Sequence, residues 1–237
     1  MVAAVSLATL QSLHSFRPGI AYVLDALYLA PTARSPCERT MRSCRGSTFA
    51  ARQDAGMAPL PASRASKTKV EASGSGFEPL PDGAVEPTSA ELDALVREWI
   101  AATGSDKVVV QGDGDPLAAQ DVVVDALRLA AGSGAAFRLN TLGLGASDAT
   151  FQALALVDTV SVFLPAADAA TYDELLRPRS PGAFDDACAF VRRAVASGAT
   201  VEVTAVDRPD VVVADVERLA RRLGAADFRT RSWLGDS

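Results

Sequence analysis

Lys107–Pro116 reads KVVVQGDGDP. Three β-branched residues, Val108, Val109 and Val110, run into two glycines alternating with two aspartates, and a proline closes the turn. A short apolar run ending in turn-forming residues predicts a buried strand that feeds a tight acidic loop. The unit recurs outward from it. Toward the C-terminus, helices are predicted over Asp121–Ala131, Ser147–Leu156, Asp168–Leu176, Ala183–Ser197 and Pro209–Leu223. Strands are predicted between them over Phe137–Thr141, Asp158–Leu164, Thr200–Val206 and Asp227–Trp233. On the N-terminal side, Thr88 or Ser89 caps a helix with Leu92, Leu95, Val96, Trp99 and Ile100 on one face, stopped by Gly104.

The body is therefore an α/β domain over 88–237, with about five strands alternating with helices. Strands joined through helices are parallel with right-handed crossovers. The runs VVV and VSVF are apolar almost throughout, as strands covered on both faces require. Two closures fit: an open doubly wound sheet and a partial (βα) barrel. Both place functional side chains on loops at the C-terminal ends of the strands. Those are Gly112–Pro116, Asn140–Gly145, Leu164–Ala167 with Arg177–Arg179, and Asp207–Pro209.

Charge divides the chain. Residues 1–70 carry nine Lys/Arg and three acids, which leaves 14 of the 23 bases and 26 of the 29 acids for the rest. An acidic body does not attract a phosphate backbone, so nucleic acid is not an expected partner; a small molecule is. The Ala-, Ser- and Arg-rich, acid-poor stretch 1–70 predicts an organellar targeting leader or a disordered extension, with the plastid ahead of the mitochondrion and the cytoplasm as the alternative. Its most apolar piece, Gly19–Ala30, has 12 residues with Asp25 inside, too short for a membrane span. Residues 71–87 predict a Gly/Pro/Ser-rich linker.

The single histidine, His14, lies in the leader, so the body can build no Ser-His-Asp triad, Cys-His pair or histidine metal site. Its only lysine is Lys107, at the entry of the first strand. Of three cysteines, Cys188 belongs on a helix as a buried thiol. Cys37 and Cys44, with six residues between them in the leader, make a poor match to zinc or iron–sulfur spacing, and no metal site is expected.

The GDGDP loop lacks the phosphate-loop and dinucleotide patterns. Its carboxylates, Asp113 and Asp115, suit an ammonium group or a hard cation, and Gly and Asp also serve any tight turn. Asn140 at a strand end can bind a ligand or form a turn. Ser161, between Val160 and Val162, faces either a barrel mouth or a helix. Arg177 and Arg179 flank Pro178 as a pair of cations at the mouth, or as solvated loop residues.

The order GDGDP (112–116), RLNTLGLG (138–145), VDTVSV (157–162), YDELLRPRSPGAFDDA (172–187) and GATVEVTAVDRP (198–209) resembles the radical S-adenosylmethionine (radical SAM) superfamily. More narrowly, it looks like the small radical SAM proteins associated with TatD-family nucleases, over about residues 77–233. The resemblance implies a partial (βα) barrel whose first strand is missing or degenerate in this chain. It implies S-adenosylmethionine as cofactor. Gly112, Gly114, Asp115 and Pro116 match the GGEP-type loop that receives the cofactor's amino group, with Asp where Glu is usual. Asn140 matches the asparagine of the family's NTNG segment, whose second asparagine is Leu142 here. Ser161 matches a serine near the cofactor ribose, and Arg177-Pro178 matches the family's RP, with Arg177 and Arg179 toward the substrate.

The family also holds a [4Fe–4S] cluster on CxxxCxxC after its first strand. That motif is expected just before Phe77, where residues 66–76 read SKTKVEASGSG, without a cysteine. The expectation is a degenerate or truncated radical-SAM-like domain, a pseudoenzyme with no cluster of its own. The alternatives are a non-catalytic module binding a ligand such as S-adenosylmethionine, and a βα enzyme using Asp113, Asp115 and Asp207 for acid–base or metal chemistry.

Overall fold

A computed structural model describes residues 19–23, 25–44, 85–112 and 114–233. Seven strands form one sheet in sequence order. They are β1 (Ala21–Val23), β2 (Leu27–Leu29), β3 (Lys107–Val110), β4 (Ala136–Thr141), β5 (Thr159–Phe163), β6 (Val201–Val206) and β7 (Asp227–Arg231). β1 and β2 are antiparallel, and every pair from β2 to β7 is parallel. The helices are α1 (Met41–Cys44), α2 (Ser89–Thr103), α3 (Gln120–Leu129), α4 (Asp148–Ala153), α5 (Ala169–Leu176), α6 (Ala183–Ala196) and α7 (Val213–Leu223).

Local chemistry fixes these elements. Thr88 caps α2 in a full capping box with Glu91, and Gly104 ends the helix in the left-handed region at φ 67°. Ser147 caps α4, and Asp168 caps α5 by accepting from the Thr171 N–H. Proline at position 116 starts a 3₁₀ turn, Pro116–Ala119, capped by Asp115, so α3 begins at Gln120.

The sequential strand order separates the two closures. A doubly wound sheet reverses direction part-way, whereas right-handed crossovers between successive neighbours put all helices on one face, as in a barrel. The residues agree. Val108, Phe137, Leu139, Val160, Val162, Val201 and Val203 alternate onto one face and pack in a single core with the buried residues of the helices. The opposite face carries Tyr22, Tyr28, Arg138, Asn140, Ser161, Glu202 and Arg229. The fold is an open, singly wound α/β sheet of the partial-barrel kind, with β1 and β7 at its edges.

One expectation is overturned. The edge of β3 is not bare, and the strand beside it does not lie before Phe77. Leu27, Tyr28 and Leu29 pair in parallel with Val108, Val109 and Val110. Ile20, Leu27 and Leu29 are essentially inaccessible and sit in the main core. Gly19–Cys44, read from composition as part of a leader, supplies β1 and β2 to the sheet; 1–18, 45–70 and most of the linker lie outside the described residues. Composition misled because a stretch of 12 residues, apolar but for one acid, fits a leader and a two-strand edge equally well. The alternation that separates them is carried by only three residues per strand.

Because Leu29 is core, Leu29→Ala is expected to lower the unfolding free energy by about 2–4 kcal/mol in urea titration. A leader residue would leave the midpoint unchanged.

Candidate functional site

The C-terminal ends of the strands converge on the segment that follows β2. Residues 30–44 run across this edge and are held from several sides. The Gln111 N–H donates to the Leu29 carbonyl at 2.8 Å, and the Asp115 N–H donates to the Arg34 carbonyl at 2.8 Å. Gly114 lies so close to Thr32–Arg34 that a Cβ would come within 2.4 Å of the Arg34 oxygen, so this position admits only glycine. Glu86 accepts from Thr32 and pairs with Arg34 through two 2.8 Å bonds. On the other side, Glu38 and Arg39 donate N–H groups to the carbonyls of Arg177 and Leu176 at 3.0 Å, and the Arg179 N–H donates to Pro36 at 2.9 Å. Cys37 and Pro178 form an antiparallel bridge. The Arg208 guanidinium donates to the Cys44 carbonyl at 3.1 Å.

Several predicted site residues therefore hold the chain together here. Asp115 is 4% exposed. Its Oδ1 accepts from the Leu117 N–H at 2.9 Å and the Thr141 hydroxyl at 2.7 Å, and its Oδ2 accepts from the Leu142 N–H. Burial pushes this carboxyl up, opposed by those three hydrogen bonds. It is an internal clamp between β3, the 3₁₀ turn and β4, rather than a carboxylate open to an ammonium group. Pro116 is the first residue of that turn, and Gly112 packs against Ala30. Leu142 is buried and Gly143 lies against the Phe190 ring, which accounts for the apolar LGLG in place of a second asparagine.

Arg177 ends α5 in the left-handed region at φ 49°. With Arg179 it straps residues 35–39 through backbone bonds, and both guanidinium groups stay exposed. Asp207 accepts from the Trp233 N–H. Asp113 lies outside the described residues. Among the described residues, no three His, Cys, Asp or Glu side chains are grouped to hold a metal ion.

On the face that no helix of the described residues covers, here the helix-free face, the structure does bring two predicted residues together. Asn140 and Ser161 are register partners on β4 and β5, and Glu202 is the partner of Ser161 on β6. A hydrogen-bonded row crosses the sheet through them. The Tyr22 hydroxyl accepts from Gln111 Nε2 at 2.6 Å, and Gln111 Oε1 accepts from Asn140. Asn140 Oδ1 accepts from Arg138 Nε at 3.0 Å, and Arg138 pairs with Glu202. Glu202 also accepts from Ser161 at 3.0 Å and Thr204 at 3.1 Å, and lies 3.4 Å from Arg229. Burial raises the Glu202 carboxyl, but Arg138, Arg229 and Ser161 together outweigh it and hold the group below its usual range. Ser161, Glu202 and Thr204 are buried polar side chains, and Asn140 is half-buried.

Gln111, Arg138, Glu202, Thr204 and Arg229 were not foreseen. The signal was present in the strict alternation of FRLNT and in the lone acid of TVEVTAV, which give both strands one polar face.

No family model matches the chain, and no curated protein matches it. Solved structures do. SuiB of Streptococcus suis bound to its precursor peptide SuiA superposes with TM-score 0.55 at 14% identity, over 63% of this chain and 33% of that one. SuiB bound to S-adenosylmethionine gives 0.54 at 14%, over 62% and 34%. The anSMEcpe protein with bound AdoMet gives 0.50 at 12%, over 61% and 42%. These are radical SAM enzymes, and the likeness is one of fold. The chain spans about a third of the length of the SuiB chains it matches.

Such a fold raises the question of an iron–sulfur cluster. The loop after the strand beside β3 is 30–44, and its thiols are Cys37 and Cys44, both buried. Burial pushes the Cys37 thiol up to about 12 and the Cys44 thiol up to about 11. The third sulfur of the segment is the thioether of Met41. Anchoring the cluster with one iron left open takes three thiolates. Two thiols and a thioether do not fit that group.

Two predictions follow from the clamps. Asp115→Asn places an amide N–H against a backbone N–H or the Thr141 hydroxyl, and should cost about 1–3 kcal/mol in chemical unfolding. For Glu202, whose folded pKa is lowered, the stabilisation is fully present above its unfolded value of about 4.3 and is lost as pH falls through the folded one. Below about pH 5 the stability of the wild type should therefore fall more steeply than that of Glu202→Gln.

Proposed function

We propose that this chain is a radical-SAM-like domain of the TatD-associated kind that binds S-adenosylmethionine or a molecule of the same class and does not itself cleave it. The observation that carries this reading is the polar row on the helix-free face. Asn140 uses one amide hydrogen and one carbonyl bond within the row, which leaves it capacity for a donor and an acceptor on a ligand. Ser161, anchored on Glu202, stands beside it in register. Gly112 brings backbone to the same edge without a side chain. The fold shared with proteins solved bound to S-adenosylmethionine supports this choice of ligand.

Within the site, Arg138 and Glu202 hold Asn140 and Ser161 in place, and Asp115 fixes the loop that presents Gly112. S-adenosylmethionine cleavage needs an electron from a reduced cluster, and the donor set on 30–44 does not suit one. The βα-enzyme alternative loses two of its three carboxylates, since Asp115 and Asp207 are engaged on backbone N–H groups.

Isothermal titration with S-adenosylmethionine tests the reading. One site per chain is expected, with at least about tenfold weaker binding in Asn140→Ala and in Ser161→Ala, from about 1.4 kcal/mol per lost hydrogen bond. No heat with the folded wild type sinks it.

A further inference from the structure

Cys37, Met41 and Cys44 lie on one short stretch of chain. Their spacing is Cys-Xaa3-Met-Xaa2-Cys, so the intervals are those of CxxxCxxC and only the middle residue differs. They lie on the loop directly after β2, the strand paired in parallel with β3. Cys37 is 1% exposed, Cys44 is 2% exposed, and Met41 packs against the same core. Backbone contacts hold the segment from both ends: the bridge to Pro178 at Cys37 and the Arg208 guanidinium on the carbonyl of Cys44. The Cys44 thiol donates to the Leu175 carbonyl at 3.5 Å. The two thiols are electrostatic neighbours, and Cys37 is also a neighbour of Asp115 and of Tyr172. The Tyr172 hydroxyl is fully buried and has no hydrogen-bond partner.

We infer that residues 37–44 are a cluster cradle lacking one ligand, with Met41 standing where a cysteine would complete it, and that a thiolate at position 41 is enough for this chain to hold an iron–sulfur cluster. The segment's position after the strand, its spacing, its burial and its straps on both sides are those of such a loop. Such clusters are held by cysteine thiolates, and a thioether carries no charge to offset the iron, so the wild type stops at two thiols. Cys188, on α6, lies outside this segment. The inference rests on the radical SAM reading of the fold but not on the ligand of the helix-free face.

The test is anaerobic reconstitution of the full chain with ferrous iron and sulfide, comparing wild type with Met41→Cys. Folding is followed by circular dichroism; iron, acid-labile sulfide and visible absorption are read after desalting. The wild type should retain well under one iron per chain, and Met41→Cys about four irons and about four sulfides with a broad absorption near about 400 nm. Adding Cys37→Ser or Cys44→Ser to Met41→Cys should abolish uptake. A stoichiometric cluster in the wild type overturns the inference. So does a folded Met41→Cys chain that takes up none, or one whose cluster survives loss of Cys37 and Cys44.

If Met41→Cys does not fold, cadmium binding to the wild type decides. One ion per chain with thiolate charge-transfer absorption, lost in Cys37→Ser and in Cys44→Ser, supports a shared cradle; its absence overturns it. Calorimetry with S-adenosylmethionine on the wild type separates this from the ligand reading, since each result can fail while the other stands.

Discussion

Asp115 ties three stretches of chain to one point. Its own N–H reaches the segment after β2, one oxygen takes the 3₁₀ turn and the Thr141 hydroxyl, and the other takes the backbone after β4. A buried carboxylate without a counter-ion is costly, and three donors offset that cost. The geometry then has little freedom. Gly114 must let the neighbouring backbone within contact, Pro116 must start the turn, and Leu142 must turn inward. The GDGDP loop is thus first a structural joint, and whatever it presents to a ligand it presents through backbone.

The two faces of the sheet divide the work. The helix face is a continuous apolar core in which strand residues of alternate parity meet α2, α3, α6 and α7. The other face is a connected set of hydrogen bonds from Tyr22 to Thr204, with Arg229 joined to it by an ion pair to Glu202. Groups linked this way brace one another, and each loses more when a neighbour is removed than its own bond is worth. Such a face is stiff and polar, a suitable wall for a ligand with several hydrogen-bonding groups.

How much of this the sequence shows depends on the length of the signal. From α2 to β7 the elements were legible, because each is long enough to display its period and is bracketed by a cap or a glycine: Thr88 with Glu91, Gly104, Ser147, Asp168 and Gly224. The edge formed by β1 and β2 was not, since three-residue strands carry no period and their neighbours are basic and small. Without that edge the loop after the strand beside β3 falls before Phe77 instead of at 30–44, and the relation between Cys37, Met41 and Cys44 stays hidden. Asn140 and Ser161 could be chosen from strand ends alone. The straps by Arg177 and Arg179 could not, because they depend on a segment about 140 residues away in the chain.

That separation bears on how the protein is made. Residues 19–44 leave the ribosome first, yet their partners are Val108–Asp115, Leu175–Arg179 and Arg208. At about 5–20 residues per second, Cys37 waits on the order of ten seconds for Pro178 to be synthesised. Until Val108–Val110 emerge, the apolar hairpin of β1 and β2 has no parallel strand to join, and until Pro178 and Arg208 emerge the segment that carries Cys37 and Cys44 lacks the contacts that hold it. The order of synthesis thus leaves these two thiols within reach of oxidant and metal ions through most of translation.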